Sequence, residues 1–278
     1  MTAIADGVAE GILPGRVWLY SNYHCNLACS YCLTESAPTA ARRTLSAERM
    51  IEIAEEARNL GFTDLGVTGG EPFMVASMCE TIVALATISP VVVLSNATLF
   101  TTARLERLRP LAVLPAAIQV SLDHPDADAN DEHRGPGNFA AVIAAIPRLV
   151  DRGIRVRVAS TLDPDRPVDD DERARLCRLH RDLGVPDDNH VVRPVVRRGR
   201  ARNAGIGVDA LPGDLPPELT ITADGAFWSP FGPTVRDGVP DTDLLVTRTT
   251  RPLSTPAAAL LRLVAGRPPG SDAQLGIR

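Results

Sequence analysis

The chain has 278 residues, enough for one large α/β domain or a domain of about 200 residues with an appendage. Hydrophobic residues make up 45% and aromatics only 4%, so aliphatic side chains and alanine must fill a sizeable core. A net charge of −5 argues against general nucleic-acid binding, and the complete lack of lysine excludes Schiff-base chemistry with pyridoxal phosphate.

No basic, apolar leader precedes the first β-prone run, and the longest apolar stretch, 81–94, contains Pro90 and is too short to span a bilayer. No membrane association is therefore expected. An odd number of cysteines, five, without an export signal suits a reducing compartment, so the expected address is the cytoplasm, with thiols kept for metal.

In chain order, residues 1–15 show no period and read as a lead-in. Residues 17–23 form a β-prone run that enters a short loop, Cys25-Asn26-Leu27-Ala28-Cys29-Ser30-Tyr31-Cys32. Three of the five cysteines fall in these eight residues at the spacing C-x3-C-x2-C. Soft thiolates turned toward one point suit zinc or an iron–sulfur cluster. A structural zinc loop would need His24 or a distant fourth ligand, and no second C-x2-C half appears downstream. A four-iron cubane on three cysteines would leave one iron open to a small chelating molecule.

Ser46 caps an expected helix to about Leu60, with Met50, Ile53, Ala54, Ala57 and Leu60 on one face and Gly61 as its stop. A strand over 64–68 ends in Gly69-Gly70-Glu71-Pro72. Two glycines permit close approach of a ligand, and the carboxylate can accept a bond from an ammonium. A helix carrying Val75, Met78, Cys79, Ile82 and Val83 follows, then a continuous apolar strand over 91–95. A helix over 101–109, a strand over 116–122, and a helix opening at Asn138 that Pro147 should kink or interrupt come next. A strand over 154–162, a charged helix over 169–183 and a strand over 190–196 complete the alternation.

Repeated βα units of this kind predict the α/β class, specifically a partial (β/α)6 barrel of TIM type over 1–200. Residues 201–278 are expected to form a small C-terminal α/β appendage: a hairpin turning at Asp224-Gly225 and a terminal helix over 256–265. The cluster Arg193, Arg197, Arg198, Arg200 and Arg202 reads either as a solvated loop or as a patch for a carboxylate or phosphate.

The cysteine spacing, the aromatic Tyr31 before the third cysteine and the following Gly-Gly-Glu-Pro resemble the radical S-adenosylmethionine (SAM) enzymes. Weaker likenesses continue through Ser95-Asn96, Ser121-Leu122-Asp123, Asn130 to Gly135, Gly137-Asn138-Phe139, and Val192-Arg193-Pro194-Val195 followed by Gly199-Arg200-Ala201. His124 and Asn130 stand where relatives carry glycine and histidine. The resemblance, over roughly residues 15–265, implies that Cys25, Cys29 and Cys32 hold one [4Fe–4S] cluster. It implies SAM beside that cluster, with Tyr31, Gly69, Gly70, Glu71, Pro72, Ser95, Asn96, Ser121, Arg134 and Val195 as binding residues. Ser121 and Arg134 would take the ribose and carboxylate of SAM.

The implied activity is hydrogen abstraction by a 5′-deoxyadenosyl radical from a peptide or small-molecule substrate, as in natural-product biosynthesis, with an external flavodoxin- or ferredoxin-like electron donor. The rival is a non-catalytic iron–sulfur or zinc protein. The tail resembles a SPASM or Twitch extension, but no cysteine follows Cys177, so auxiliary clusters are not expected and a redox-neutral outcome is the simpler one.

Overall fold

The computed structural model describes residues 2–163, 169–210 and 214–265. Six strands run parallel and pair in chain order: β1 (Arg16–Tyr20), β2 (Asp64–Thr68), β3 (Val91–Ser95), β4 (Ala116–Ser121), β5 (Arg155–Leu162) and β6 (His190–Pro194). This is the expected parallel α/β sheet. The connections carry α2 (Ala47–Asn59), α3 (Met78–Ile88), α4 (Thr102–Leu108), α5 (Ala127–Arg134), α6 (Asn138–Val150) and α7 (Asp170–Asp182), with α1 (Ala3–Ala9) before the first strand. Val67, Val93, Ile118, Val120 and Val158 are fully buried in one cluster with Met50, Ile53, Ile82, Leu105, Ile146 and Leu149 of the helices. On β3 the alternate Val91 and Val93 pack against the helices while Val92 and Leu94 line a cavity, and both faces are aliphatic there.

After α8 (Arg200–Ala204), the expected hairpin forms as β7 (Leu219–Thr222) and β8 (Gly225–Trp228). Its register closes at Thr222 opposite Gly225, leaving Ala223-Asp224 as the turn. The hairpin does not stand apart from the barrel: β7 pairs in parallel with the free edge of β1. After the small pair β9 (Val235–Arg236) and β10 (Val239–Pro240), β11 (Leu245–Thr247) adds antiparallel to β8. Among the described residues the sheet thus has nine strands, in the order β11-β8-β7-β1-β2-β3-β4-β5-β6, and crosses the boundary expected near residue 200. Covering β1 removes an edge that would otherwise expose unpaired backbone.

Three local expectations change. Residues 3–9 are helical, not an irregular lead-in: Thr2 caps α1, and Gly7 lies so close to α9 (Ser254–Val264) that a Cβ would sit 2.9 Å from Leu261 Cδ1. The unanticipated α5, Ala-Asp-Ala-Asn-Asp-Glu-His-Arg, has no apolar stripe because its buried positions are the polar Asn130 and Arg134. Pro147 does not interrupt α6, which runs on to Val150; the bond lost is the single one that its amide would have made to the Ile143 carbonyl.

One packing feature sets a pH dependence. His180 on α7 is 1% exposed, neither ring nitrogen has a hydrogen-bond partner, and its ring meets that of His190 edge-on at 4.1 Å. Burial first, and His190 second, pull its pKa down to about 3. The unfolded chain takes up this proton near pH 6.5 and the folded one does not, so stability falls as pH drops from 6.5 toward 3. At pH 5 the loss from this residue is about 2 kcal/mol. Urea midpoints of iron-free protein at pH 7 and pH 5 should show it, and His180→Leu should flatten that share; an unchanged slope in the variant contradicts the assignment.

Candidate active site

The cysteine loop leaves β1 at its C-terminal end and is tied to the end of β2. The backbone amide and the hydroxyl of Ser21 both donate to Thr68 O at 2.8 Å. Gly70 N donates to Asn22 O at 2.7 Å, Asn22 Nδ2 to Glu71 O at 3.1 Å, and Glu71 N to His24 O at 3.0 Å. The two loops are in near contact. A Cβ on Gly70 would lie 2.2 Å from His24 O, and one on Gly69, at φ +152°, 2.7 Å from Asn22 O. The glycines therefore serve first to let the loops close on each other, while both still line the cavity.

Glu71 stands behind the cavity wall. Its side chain is fully buried and does not line the cavity. Its carboxylate accepts from Phe73 N at 3.1 Å, Ser95 Oγ at 2.9 Å and Asn96 N at 2.8 Å. It braces the ends of β2 and β3 from behind, with Pro72 buried beside it at the start of a short 3₁₀ turn. The bracing passes to the thiols through Asn96, whose Nδ2 donates to Asn26 Oδ1 at 2.9 Å and lies 3.7 Å from Cys25 Sγ.

A cavity of about 330 Å³ opens at this end of the sheet. Cys25, Cys29 and Cys32 line it together with Tyr31, Gly69, Gly70, Ser95, Asn96, Ser121, Arg134 and Val195, so every expected site residue except Glu71 and Pro72 faces one space. The five cysteines form no disulfide. Cys79 and Cys177 do not line the cavity, and Cys79 belongs to the core.

On the opposite wall Arg134 is buried against Asp123, 3.1 Å away, and also bonds the Tyr31 hydroxyl, which in turn donates to Asp123. Asp123 Oδ1 accepts from Thr161 N at 2.9 Å, tying β4 to β5. Arg134 Nε is buried without an acceptor. That orphaned donor fits an anionic group arriving in the cavity, the role implied for SAM carboxylate.

The arginines of 193–202 divide. Arg198 forms a forked pair with Asp241, both oxygens at 2.8 Å, and Arg197 bonds Gly207 O. Arg200 clamps the cysteine loop, donating to Cys29 O at 2.7 Å and Ser36 O at 2.6 Å, while its amide bonds Cys32 O at 3.0 Å. Only Arg193 and Arg200 of the five line the cavity, so the cluster is not a single anion patch. Asp123 and Arg200 were not among the expected site residues; Asp123 stood in the Ser-Leu-Asp segment, but nothing near Arg200 signalled a contact 171 residues back in the chain.

The donor set fits an iron–sulfur cluster better than one metal ion. A tetrahedral zinc bonded at about 2.3 Å holds its sulfurs about 3.8 Å apart. Among the described residues, the one set of three potential ligands whose atoms all lie within 4.8 Å is His124, Asp126 and Glu172, so the three thiols are spread more widely than a single ion requires. Burial pushes the Cys25 thiol up to about 12 and raises Cys29 as well, so stable thiolates here need a bound cation. Leu27 N, 3.4 Å from Cys25 Sγ, is placed to donate to that sulfur.

A parallel half-barrel that presents three thiols and an anion-seeking arginine in one cavity defines a cofactor-dependent α/β protein. The profile of the Radical SAM superfamily matches residues 19–180, and the chain belongs to that family. It is 31% identical over 163 residues to the antilisterial bacteriocin subtilosin biosynthesis protein AlbA of Bacillus subtilis, covering 58% of this chain and 36% of AlbA. It is 31% identical over 161 residues to the mycofactocin maturase MftC of Mycolicibacterium smegmatis, covering 56% of this chain and 39% of MftC. The chain thus spans under half the length of these curated relatives. Among solved structures, the fold matches Streptococcus suis SuiB bound to precursor peptide SuiA with TM-score 0.57 at 17% identity, covering 69% of this chain and 42% of SuiB. It also matches anSMEcpe with bound AdoMet and Cp18Cys peptide, TM-score 0.60 at 10% identity, covering 87% and 79%. No helix among the described residues is long and apolar enough to cross a membrane.

Proposed function

We propose that Cys25, Cys29 and Cys32 hold one [4Fe–4S] cluster and that the chain abstracts hydrogen from a peptide or small-molecule substrate in the adjoining cavity. The convergence of three unpaired thiols with the other cavity-facing residues on one space carries this reading. When bound and reduced by an external flavodoxin- or ferredoxin-like donor, the cluster supplies the electron that cleaves SAM to methionine and a 5′-deoxyadenosyl radical.

The chain's own residues hold and orient. Arg200 and the Gly70–Asn22 contacts fix the cysteine loop, and Glu71 fixes Asn96 beside Cys25. Arg134, aligned by Asp123 and Tyr31, offers its unpaired Nε to the SAM carboxylate. The tail encloses the space in place of auxiliary clusters: Pro230 and Phe231 line it, and Thr234 Oγ1 and Val235 N bond the carbonyls of Leu33 and Thr34 at 3.0 and 3.1 Å. No cysteine follows Cys177, so the segment 201–278 has no usual seat for a second cluster, and a redox-neutral net reaction is the simpler outcome for a single centre.

Anaerobic reconstitution, reduction and addition of SAM should yield 5′-deoxyadenosine, with about four irons and equal sulfide per chain. One zinc without iron in anaerobically purified protein contradicts the cluster. About eight irons with intact sulfide contradicts the single centre.

A further inference from the structure

The cavity continues past the thiols along the inner faces of the strands, where Leu94, Gln119, Ser121, Arg157, Thr161 and Arg193 line it. Five arginines face this space, and four are committed, Arg193 among them. Arg16 pairs with Asp64, Arg134 with Asp123 and Tyr31, and Arg200 with the carbonyls of Cys29 and Ser36. Arg157 differs. No carboxylate, carbonyl or hydroxyl among the described residues accepts a bond from its guanidinium, which feels burial first and the like charge of Arg16 second. Half-buried beside another cation, it is a charge in want of a partner.

Its neighbour in the sheet is Gln119, directly opposite in the β4–β5 register. The Gln119 amide also lines the cavity, is 6% exposed, and has no side-chain partner among the described residues. Two adjacent donors on one wall, a planar guanidinium fork and a primary amide, match the two oxygens of a carboxylate. A phosphate dianion would call for a second cation beside Arg157, whereas Arg16 is held by Asp64 and the Arg200 guanidinium by the carbonyls of Cys29 and Ser36.

We propose that Arg157 and Gln119 seat a carboxylate of the substrate, so that this chain acts on an acid: a carboxylate-bearing peptide or a small carboxylic acid. The proposal rests on the reading above that the cavity receives the substrate. Arg157 lies four residues before Thr161 on the same strand face, about 13 Å at the strand rise. A molecule held by its carboxylate at Arg157 therefore extends along β5 toward the strand ends where the thiols lie.

The test is equilibrium binding to the reconstituted 278-residue chain, read from the fluorescence of Trp18, which lines the same cavity, and checked by titration calorimetry. The probes are a terminally capped pentapeptide containing one glutamate, its glutamine counterpart, succinate and inorganic phosphate. Saturable binding of the glutamate peptide or of succinate is expected, at least tenfold tighter than the glutamine peptide; the tighter of the two tells a peptide from a small acid. Arg157→Gln should erase that tenfold preference, whereas Arg157→Lys should retain part of it by keeping the charge. Equal binding of the glutamate and glutamine peptides, a preference untouched by Arg157→Gln, or phosphate binding tighter than either carboxylate overturns the proposal. Because binding is read without turnover, a chain that binds the acid but cleaves no SAM refutes the radical reading alone. A chain that cleaves SAM but ignores the carboxylate refutes this inference alone.

Discussion

Replacing Cys25, Cys29 and Cys32 together by alanine abolishes iron uptake and lowers 5′-deoxyadenosine formation to the level of a protein-free control. No other thiol can substitute: Cys79 is in the core on α3, and Cys177 does not reach the cavity. The fold itself should survive, because the loop is held by backbone bonds from Gly70, Glu71 and Arg200 that involve no sulfur. The iron-free variant and the iron-free native chain should therefore melt within a few degrees of each other. Iron remaining above one per chain in the triple variant would place the cluster elsewhere.

The second large effect is expected at a residue that does not face the cavity. Glu71→Ala removes the acceptor of three buried donors, Phe73 N, Ser95 Oγ and Asn96 N. Each donor left unsatisfied costs about 1–3 kcal/mol, so a total near 4 kcal/mol is expected, a large part of a typical domain's stability. For a chain of this size that lowers Tm by about 10 °C, measured by calorimetry without iron or SAM. If Glu71 acted only on a ligand, the ligand-free melting point would stay within a degree of the native value, and the bracing role assigned here would fail. Cluster retention should also fall, since Asn96 loses the anchor that sets its amide beside Cys25.

The parallel strands were legible from β-branched and aliphatic runs such as Val91 to Ser95, whose one face packs on the helices while Val92 and Leu94 line the cavity. The helix after Ser46 was legible from its cap and apolar face: Ser46 Oγ accepts from Arg49 N, and Met50, Ile53, Ala54 and Ala57 are buried. The cysteine loop and Gly-Gly-Glu-Pro were legible because their chemistry lies in adjacent residues. What escaped notice depends on partners distant in sequence. The glycines at 69 and 70 are dictated by the carbonyls of Asn22 and His24, which sequence spacing does not reveal. The polar helix α5 has no hydrophobic period because its inward face is part of the site, where Asn130 Oδ1 accepts from Asp123 N at 3.2 Å. The union of β7 with β1 is likewise a contact across some 200 residues that no local pattern announces.

Electron paramagnetic resonance of the reconstituted, reduced chain with and without SAM tests most directly whether three cysteines hold a cluster open to SAM. The expected result is the signal of one reduced [4Fe–4S] centre, about one spin per chain, whose shape changes when SAM is added. Weakening the anion seat by Arg134→Ala should raise the SAM concentration needed for that change. A native chain that shows no such signal, or one indifferent to saturating SAM, contradicts the account.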